Sequence, residues 1–290
     1  MASFTIDRDS LACHKVRKVF SRQSSVLSPQ SALHYGVWMR KKPWIILTLA
    51  LSFLTCVLVL RTRFKDIPQR LSESERRTEH QTAMGSVPDQ AYSWVAKLRL
   101  SKIKQYVEEN DTVLEYGVRF GWNLALVTCK KRLGYDVSEP FAPIVRKHGI
   151  EFIHDLATIP DDTVNVIICH HQLEHALTPA EVLSDIKRLL HPKGKLLLFV
   201  PYEKGKRTYR YDPNDRFHRL YSWNVQTLGN LVEANGFRVV EGQIGRFGYD
   251  RFSAVFANRY QLGEIGFKVI RRTIHLVRPG YEVEMVATKK

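Results

Sequence analysis

Cysteine is scarce and scattered in this chain. Cys13, Cys56, Cys129 and Cys169 stand far apart, with no C-x-x-C pair. That excludes a disulfide framework and fits a reducing compartment for the folded part. No RNP, KH or zinc-finger pattern occurs, so nucleic acid is not an expected partner despite a net charge of +15. Internal repeats are absent, which excludes a solenoid or propeller. Long uncharged apolar runs are absent too, with one exception at 43–60.

The 290 residues, 44% of them apolar, suffice for one α/β domain of catalytic size with appendages. Basic residues exceed acidic ones eight to two over 1–42, six to five over 43–90 and thirty to twenty-two over 91–290. The surplus per residue is densest before the apolar run, which favours an anionic membrane surface or another anionic partner. Residues 1–42 read as a disordered basic segment. Met39-Arg40-Lys41-Lys42 resembles a natural start, so translation from Met39 is expected. The 18 residues 43–60 carry no charge, and Trp44 marks one end while Arg61 and Arg63 mark the other. At a 1.5 Å rise they span about 27 Å, enough for one transmembrane helix. No small-x-small cleavage site follows, which argues against a secretory signal. Flanking cations nearly cancel in the positive-inside count. Residues 61–90 read as a polar linker and 91–290 as the catalytic domain.

That domain is organised around Asp-Thr-Val-Leu-Glu-Tyr-Gly-Val-Arg-Phe-Gly at 111–121. A buried strand there breaks at Gly117 and Gly121, and a helix is expected over 122–131. Such a strand, glycine turn and helix would cradle a nucleotide or cofactor. Strands are expected at 112–116, 133–136, 150–154, 164–169, 195–201, 237–241 and 281–287. Helices are expected at 92–109, 140–148, 178–190 and 223–235. The alternation predicts an α/β, doubly wound, mostly parallel Rossmann-like sheet, with ligands at the carboxyl ends of its strands. Asp136 follows the second strand in register with the glycine turn, where a carboxylate binds a ribose diol. Asp155 follows the third strand and could accept from an adenine amino group.

With these segments in order, the sequence resembles the class I S-adenosylmethionine-dependent methyltransferases over roughly 105–290. Val-Leu-Glu-Tyr-Gly-Val-Arg-Phe-Gly, Gly-Tyr-Asp-Val-Ser-Glu, Phe-Ile-His-Asp-Leu-Ala and His-His-Gln-Leu-Glu-His-Ala-Leu carry the likeness, with Arg-Leu-Leu-His-Pro-Lys-Gly and Ala-Asn-Gly-Phe. The resemblance implies seven strands, the last antiparallel and inserted beside the sixth. It implies S-adenosylmethionine as cofactor, with Glu115, Gly117 and Gly121 along the methionine part. Asp136 would hold the ribose, and Asp155 with Leu156 the adenine. The family usually has glycine where this chain has Arg119. That departure keeps a non-catalytic membrane scaffold with a degenerate fold as the alternative.

Methyl transfer needs alignment, exclusion of water and, for a hydroxyl acceptor, a base. The long aromatic and basic segment 201–223 supplies His218 as the expected base, with Tyr202, Tyr209 and Tyr211 as acceptor contacts. His171, Glu174 and His175 fit H-x-x-E-H, the inverted zinc-peptidase pattern. The motif follows directly on a strand, with Pro179 soon after and no long helix to carry it, so no metal is expected and a zinc hydrolase stays only as the further alternative. Residues 243–280, rich in Phe, Lys and Arg, suit an amphipathic helix on the sheet, with a lid or a membrane-facing helix as alternatives. The expectation is thus a single-pass membrane enzyme, catalytic domain in the cytosol, acting on a small-molecule, lipid or lipid-linked glycan acceptor.

Overall fold

The computed structural model describes residues 86–202 and 219–290. The run 43–60, Met39 and the candidates Tyr209, Tyr211 and His218 lie outside them. Among the described residues no helix is long and apolar enough to cross a membrane.

In chain order the elements are α1 (Asp89–Ile103), β1 (Thr112–Tyr116), β2 (Lys131–Tyr135), α2 (Ala142–Lys147), β3 (Glu151–Ile153), β4 (Val164–His170), α3 (Pro179–Leu189), β5 (Leu190–Pro201), α4 (Val225–Ala234), β6 (Phe237–Arg246), α5 (Asp250–Arg259), α6 (Gly263–Val277) and β7 (Tyr281–Lys289). One seven-stranded sheet has the order β3-β2-β1-β4-β5-β7-β6. The first five strands pair in parallel, and β7 runs antiparallel to both β5 and β6. The mixed sheet and the inserted last strand match the expectation from sequence.

Side chains alternate across the strands and so divide into two cores. Leu114, Ile167, Cys169, Leu196 and Leu198 face one side, covered by Leu183 and Ile186 of α3 and Leu228 and Val232 of α4. Val113, Val166, Ile168, Leu197 and Phe199 face the other, with Ile103 of α1 and Val145 of α2. A third cluster joins Ala91 and Val95 of α1, Ala254 and Ala257 of α5, and Phe267 of α6. Helix α4 starts on a reciprocal cap: Thr227 N–H donates to the Asn224 side chain and Asn224 N–H to the Thr227 hydroxyl.

The helix expected over 122–131 does not form. Those residues make one turn, with the Gly121 carbonyl accepting from Leu124 and Ala125 N–H, and then run into β2. The connection from β1 to β2, residues 117–130, crosses as an open turn that still buries Leu124 and Val127. The strand expected from Lys195 begins earlier, at Leu190, and the segment 243–280 resolves into the end of β6 and two helices, α5 and α6.

Candidate functional site

The carboxyl ends of β1 and β4 meet over a cavity of about 150 Å³. Glu115, Gly117, Arg119, Asn123, His170 and His171 are among the residues that line it, with Arg99 from α1 and Phe247 after β6. Glu115 ends inside the fold, and burial pushes its carboxyl up to about 8 against the lowering effect of its Asn123 hydrogen bond. Asn123 Nδ2 donates to Glu115 Oε1. Glu115 Oε2, Asn123 Oδ1 and the indole nitrogen of Trp122, another wall residue, are buried without a partner. Three orphaned polar atoms around one cavity mark a place built for a polar ligand.

The glycines divide in role. Gly117 takes φ +81°, and a Cβ there would fall 2.1 Å from Gln172 Cγ. Its carbonyl accepts from Gln172 Nε2 at 3.4 Å. Gly121, at φ +72°, turns the chain against Ile150 and is not part of the cavity wall. Arg119, where the related family carries glycine, also takes a left-handed backbone, φ +45°. Its N–H donates to Asp136 Oδ2 at 3.0 Å, while Ser138 N–H donates to Asp136 Oδ1 at 2.9 Å. Asp136 is buried and, like Asp155, is not among the residues that line the cavity. The Arg119 guanidinium stands 5.9 Å from the ring centres of Phe120 and Phe141. Asp155 is exposed and accepts from Ala157 N–H at 2.8 Å, while Leu156 is buried beneath it. Neither reaches the cavity wall. Tyr202 is half-buried beside Trp223, with its N–H on the Tyr281 carbonyl.

A charged network the sequence reading missed closes the other side. Arg99 donates to His170 Nε2 at 2.9 Å and to Asp250 Oδ2 at 2.6 Å, and Arg271 reaches Asp250 Oδ1 at 2.6 Å. Glu282, fully buried on β7, lies 3.0 Å from His171 Nε2 and is paired with Lys102. Lys102 also reaches Glu284 Oε1 at 2.6 Å. Burial alone would raise the Glu282 carboxyl, but the neighbouring His170 and His171 and the Lys102 charge hold it well below the usual range. His171 is pushed down to about 3, by burial first and then by His170. It is neutral near pH 7, and its partner assigns the tautomer: Nε2–H donates to Glu282, leaving Nδ1 as an acceptor. The two rings stack at 4.4 Å, with Phe247 4.1 Å from His171. The signals for this network were a carboxylate inside an alternating strand, Glu282, and two histidines at a strand end.

The zinc pattern does not assemble. Leu173–His175 form a single tight turn, and His175 points out, half-exposed. Among the described residues, His170, His171 and Glu282 are the group whose donor atoms lie within 4.8 Å of one another. Arg99 already occupies His170 Nε2 and Lys102 already neutralises Glu282, so two fixed cations stand where a metal's charge would be needed.

Comparison with known proteins agrees with this geometry. The profile of a methyltransferase-domain family matches residues 63–242, more than half of the chain. A probable S-adenosylmethionine-dependent methyltransferase of Mycolicibacterium smegmatis is 30% identical over 142 residues, 47% of this chain. The chain spans about half, 54%, of that relative's length. Among solved structures, the Haloferax volcanii methyltransferase bound to the Trm112 methyltransferase activator superposes with a TM-score of 0.50 at 17% identity, over 77% of this chain and 99% of that one. Haemonchus contortus phosphoethanolamine N-methyltransferase 2, in complex with phosphomonomethylethanolamine and S-adenosylhomocysteine, gives 0.52 at 14% identity, over 77% of this chain and 61% of that one. At such identities these two likenesses concern the fold alone.

Proposed function

The chain belongs to the methyltransferase-domain family and carries an S-adenosylmethionine-dependent methyltransferase domain, and we propose that the whole protein methylates a lipid or lipid-linked glycan acceptor at a membrane. The observation that carries the cofactor half is the cavity at the ends of β1 and β4, with Glu115 Oε2 and Asn123 Oδ1 unpartnered in its wall. These residues fit the cofactor: a buried carboxylate suits an ammonium group, and Asp136, held by the Arg119 and Ser138 N–H groups at the end of β2, would meet the ribose diol. Gly117 would lie along the methionine part, and Asp155 with Leu156 beside the adenine. S-adenosylmethionine, when bound, supplies a methyl group already activated on a sulfonium. The chain's own residues must bind, orient and exclude water. Phe247 and Arg99 wall the cavity, and His171, neutral and fixed by Glu282, offers Nδ1 as a hydrogen-bond acceptor. Tyr202 and, outside the described residues, Tyr209, Tyr211 and the base His218 would line the acceptor's approach.

Titration of S-adenosylmethionine and S-adenosylhomocysteine into the protein, followed by calorimetry, tests this reading. Binding in the micromolar range, lost in Asp136→Ala, is the expected result. A folded protein that takes up neither compound would leave the scaffold reading, to which Gln172 lying over Gly117 and the Arg119 substitution would then belong. Membrane attachment through 43–60, with the domain in the cytosol, is tested by alkaline carbonate extraction and by protease protection of a C-terminal tag.

A further inference from the structure

Helix α6 is apolar on both sides. Its inner face places Phe267 and Ile270 in the third core, and buried His275 lies 3.1 Å from the Gly248 carbonyl. Its outer face carries Ile265 at 79%, Val269 at 57% and Leu276 at 71% exposure, with Leu262 at 48% just before the helix. The spacing of three, four and seven sets these four side chains along one stripe of a 3.6-residue helix. Single exposed aliphatics need no explanation, but a continuous stripe marks an interaction surface.

Its charge selects the partner. Residues 259–278 hold five Lys or Arg (Arg259, Lys268, Arg271, Arg272, Arg278) against one acid, Glu264. That acid is already shared by Lys97 at 2.6 Å and Lys268 at 2.7 Å. Lys268 and Arg272 are exposed and follow the stripe along one edge. An apolar stripe edged by cations is the pattern of a helix lying in the plane of an anionic bilayer surface. The chain's path agrees. The described residues begin beside this layer, where Arg251 of α5 donates to the Ser86 carbonyl at 3.1 Å and Val87 packs in the cluster of Phe267 and Ile270. The 25 residues 61–85 are all that separates this point from the uncharged run 43–60.

We infer that the outer face of α6 (Leu262, Ile265, Val269 and Leu276, edged by Lys268 and Arg272) docks on an anionic lipid surface. The inference rests on the membrane reading above for its setting, but not for its test. Helix α6 also holds Gly248, next to the cavity wall residue Phe247, through His275.

The fragment Ser72–Lys290 contains the whole sheet and all three cores, so it can be examined without the run 43–60. It is sedimented with vesicles of phosphatidylcholine alone and of phosphatidylcholine with phosphatidylserine. Sedimentation with the phosphatidylserine vesicles, weakened by salt, is the expected result. Ile265→Asp with Val269→Asp is expected to weaken it by about tenfold or more, as is Lys268→Glu with Arg272→Glu. Thermal melting checks that the variants fold. A folded fragment left in the supernatant with both vesicles overturns the inference. So do variants that bind vesicles as the parent does, and so does a concentration-dependent dimer abolished by Ile265→Asp, which would assign the stripe to a second copy. Carbonate extraction of the full chain reports on 43–60 separately: its release would remove the anchor and leave a positive vesicle result standing.

Discussion

Glu115 is the residue on which the site's electrostatics turn. Its folded carboxyl titrates near 8 against an ordinary 4.5, because burial disfavours the charge. An acid that holds its proton more tightly in the folded state destabilises the fold as it ionises. The ligand-free protein should therefore lose stability as pH rises from about 4.5 toward 8, as far as this group is concerned. Glu115→Gln keeps the Asn123 hydrogen bond and removes the ionisation. Calorimetric melting should show a flatter dependence across that range and a higher midpoint near pH 8, while S-adenosylhomocysteine binds about tenfold more weakly or worse. An unchanged pH slope would show that Glu115 is ionised in the empty site. At this scale the sequence was partly legible. Glu115, Gly117 and Asp136 could be placed by strand ends, since those positions follow from chain order. Arg99, Lys102 and Glu282 could not, because they come from a helix and a strand far away in sequence and meet only through packing.

At the scale of elements, the turn after β1 is held by backbone geometry and close contact. Gly117 at φ +81° has the Gln172 side chain where a Cβ would go. Gly117→Ala should cost about 1–2 kcal/mol for the left-handed backbone alone, plus the clash. Gln172→Ala in the same chain should recover only the clash. A double-mutant cycle on urea midpoints separates the two, and full recovery would mean the φ is relaxed elsewhere. The helix expected over 122–131 did not form: apolar spacing suggested it, but Leu124 and Val127 are buried from an open turn instead. The inner strands β1 and β4 were legible to within a residue because their apolar runs are buried between two cores, whereas β5 starts five residues earlier and β6 ends five residues later than expected. The amphipathic segment 243–280 was legible as helical but not as two helices, since Gln261 and Gly263 take the positive φ that breaks α5 from α6.

Across the whole molecule, buried charge ties the first helix to the last strand. Lys102 of α1 bridges Glu282 and Glu284 of β7, and Glu282 in turn fixes His171 at the end of β4. Removing one partner of such a group leaves the rest uncompensated. Glu282→Gln should cost about 3 kcal/mol in chemical unfolding, and pairing it with Lys102→Met should cost less than the sum. Additive losses would show that the two do not interact. The seven-stranded architecture itself was readable from strand and helix alternation, but the place of β7 came only from family resemblance, because nothing local to 281–289 says which strands it separates.

That place has a consequence for how the enzyme comes into being. β7 is the last strand in chain order, yet it fills the gap between β5 and β6, and it carries the carboxylate that fixes His171. During synthesis the first five strands can assemble as they leave the ribosome. The seam beside β5 stays open, with a paired-strand edge unmet and His171 untethered, until residues 281–289 have been made. Until then the nascent chain is a sheet with an exposed edge at β5 and with His171 lacking its Glu282 partner.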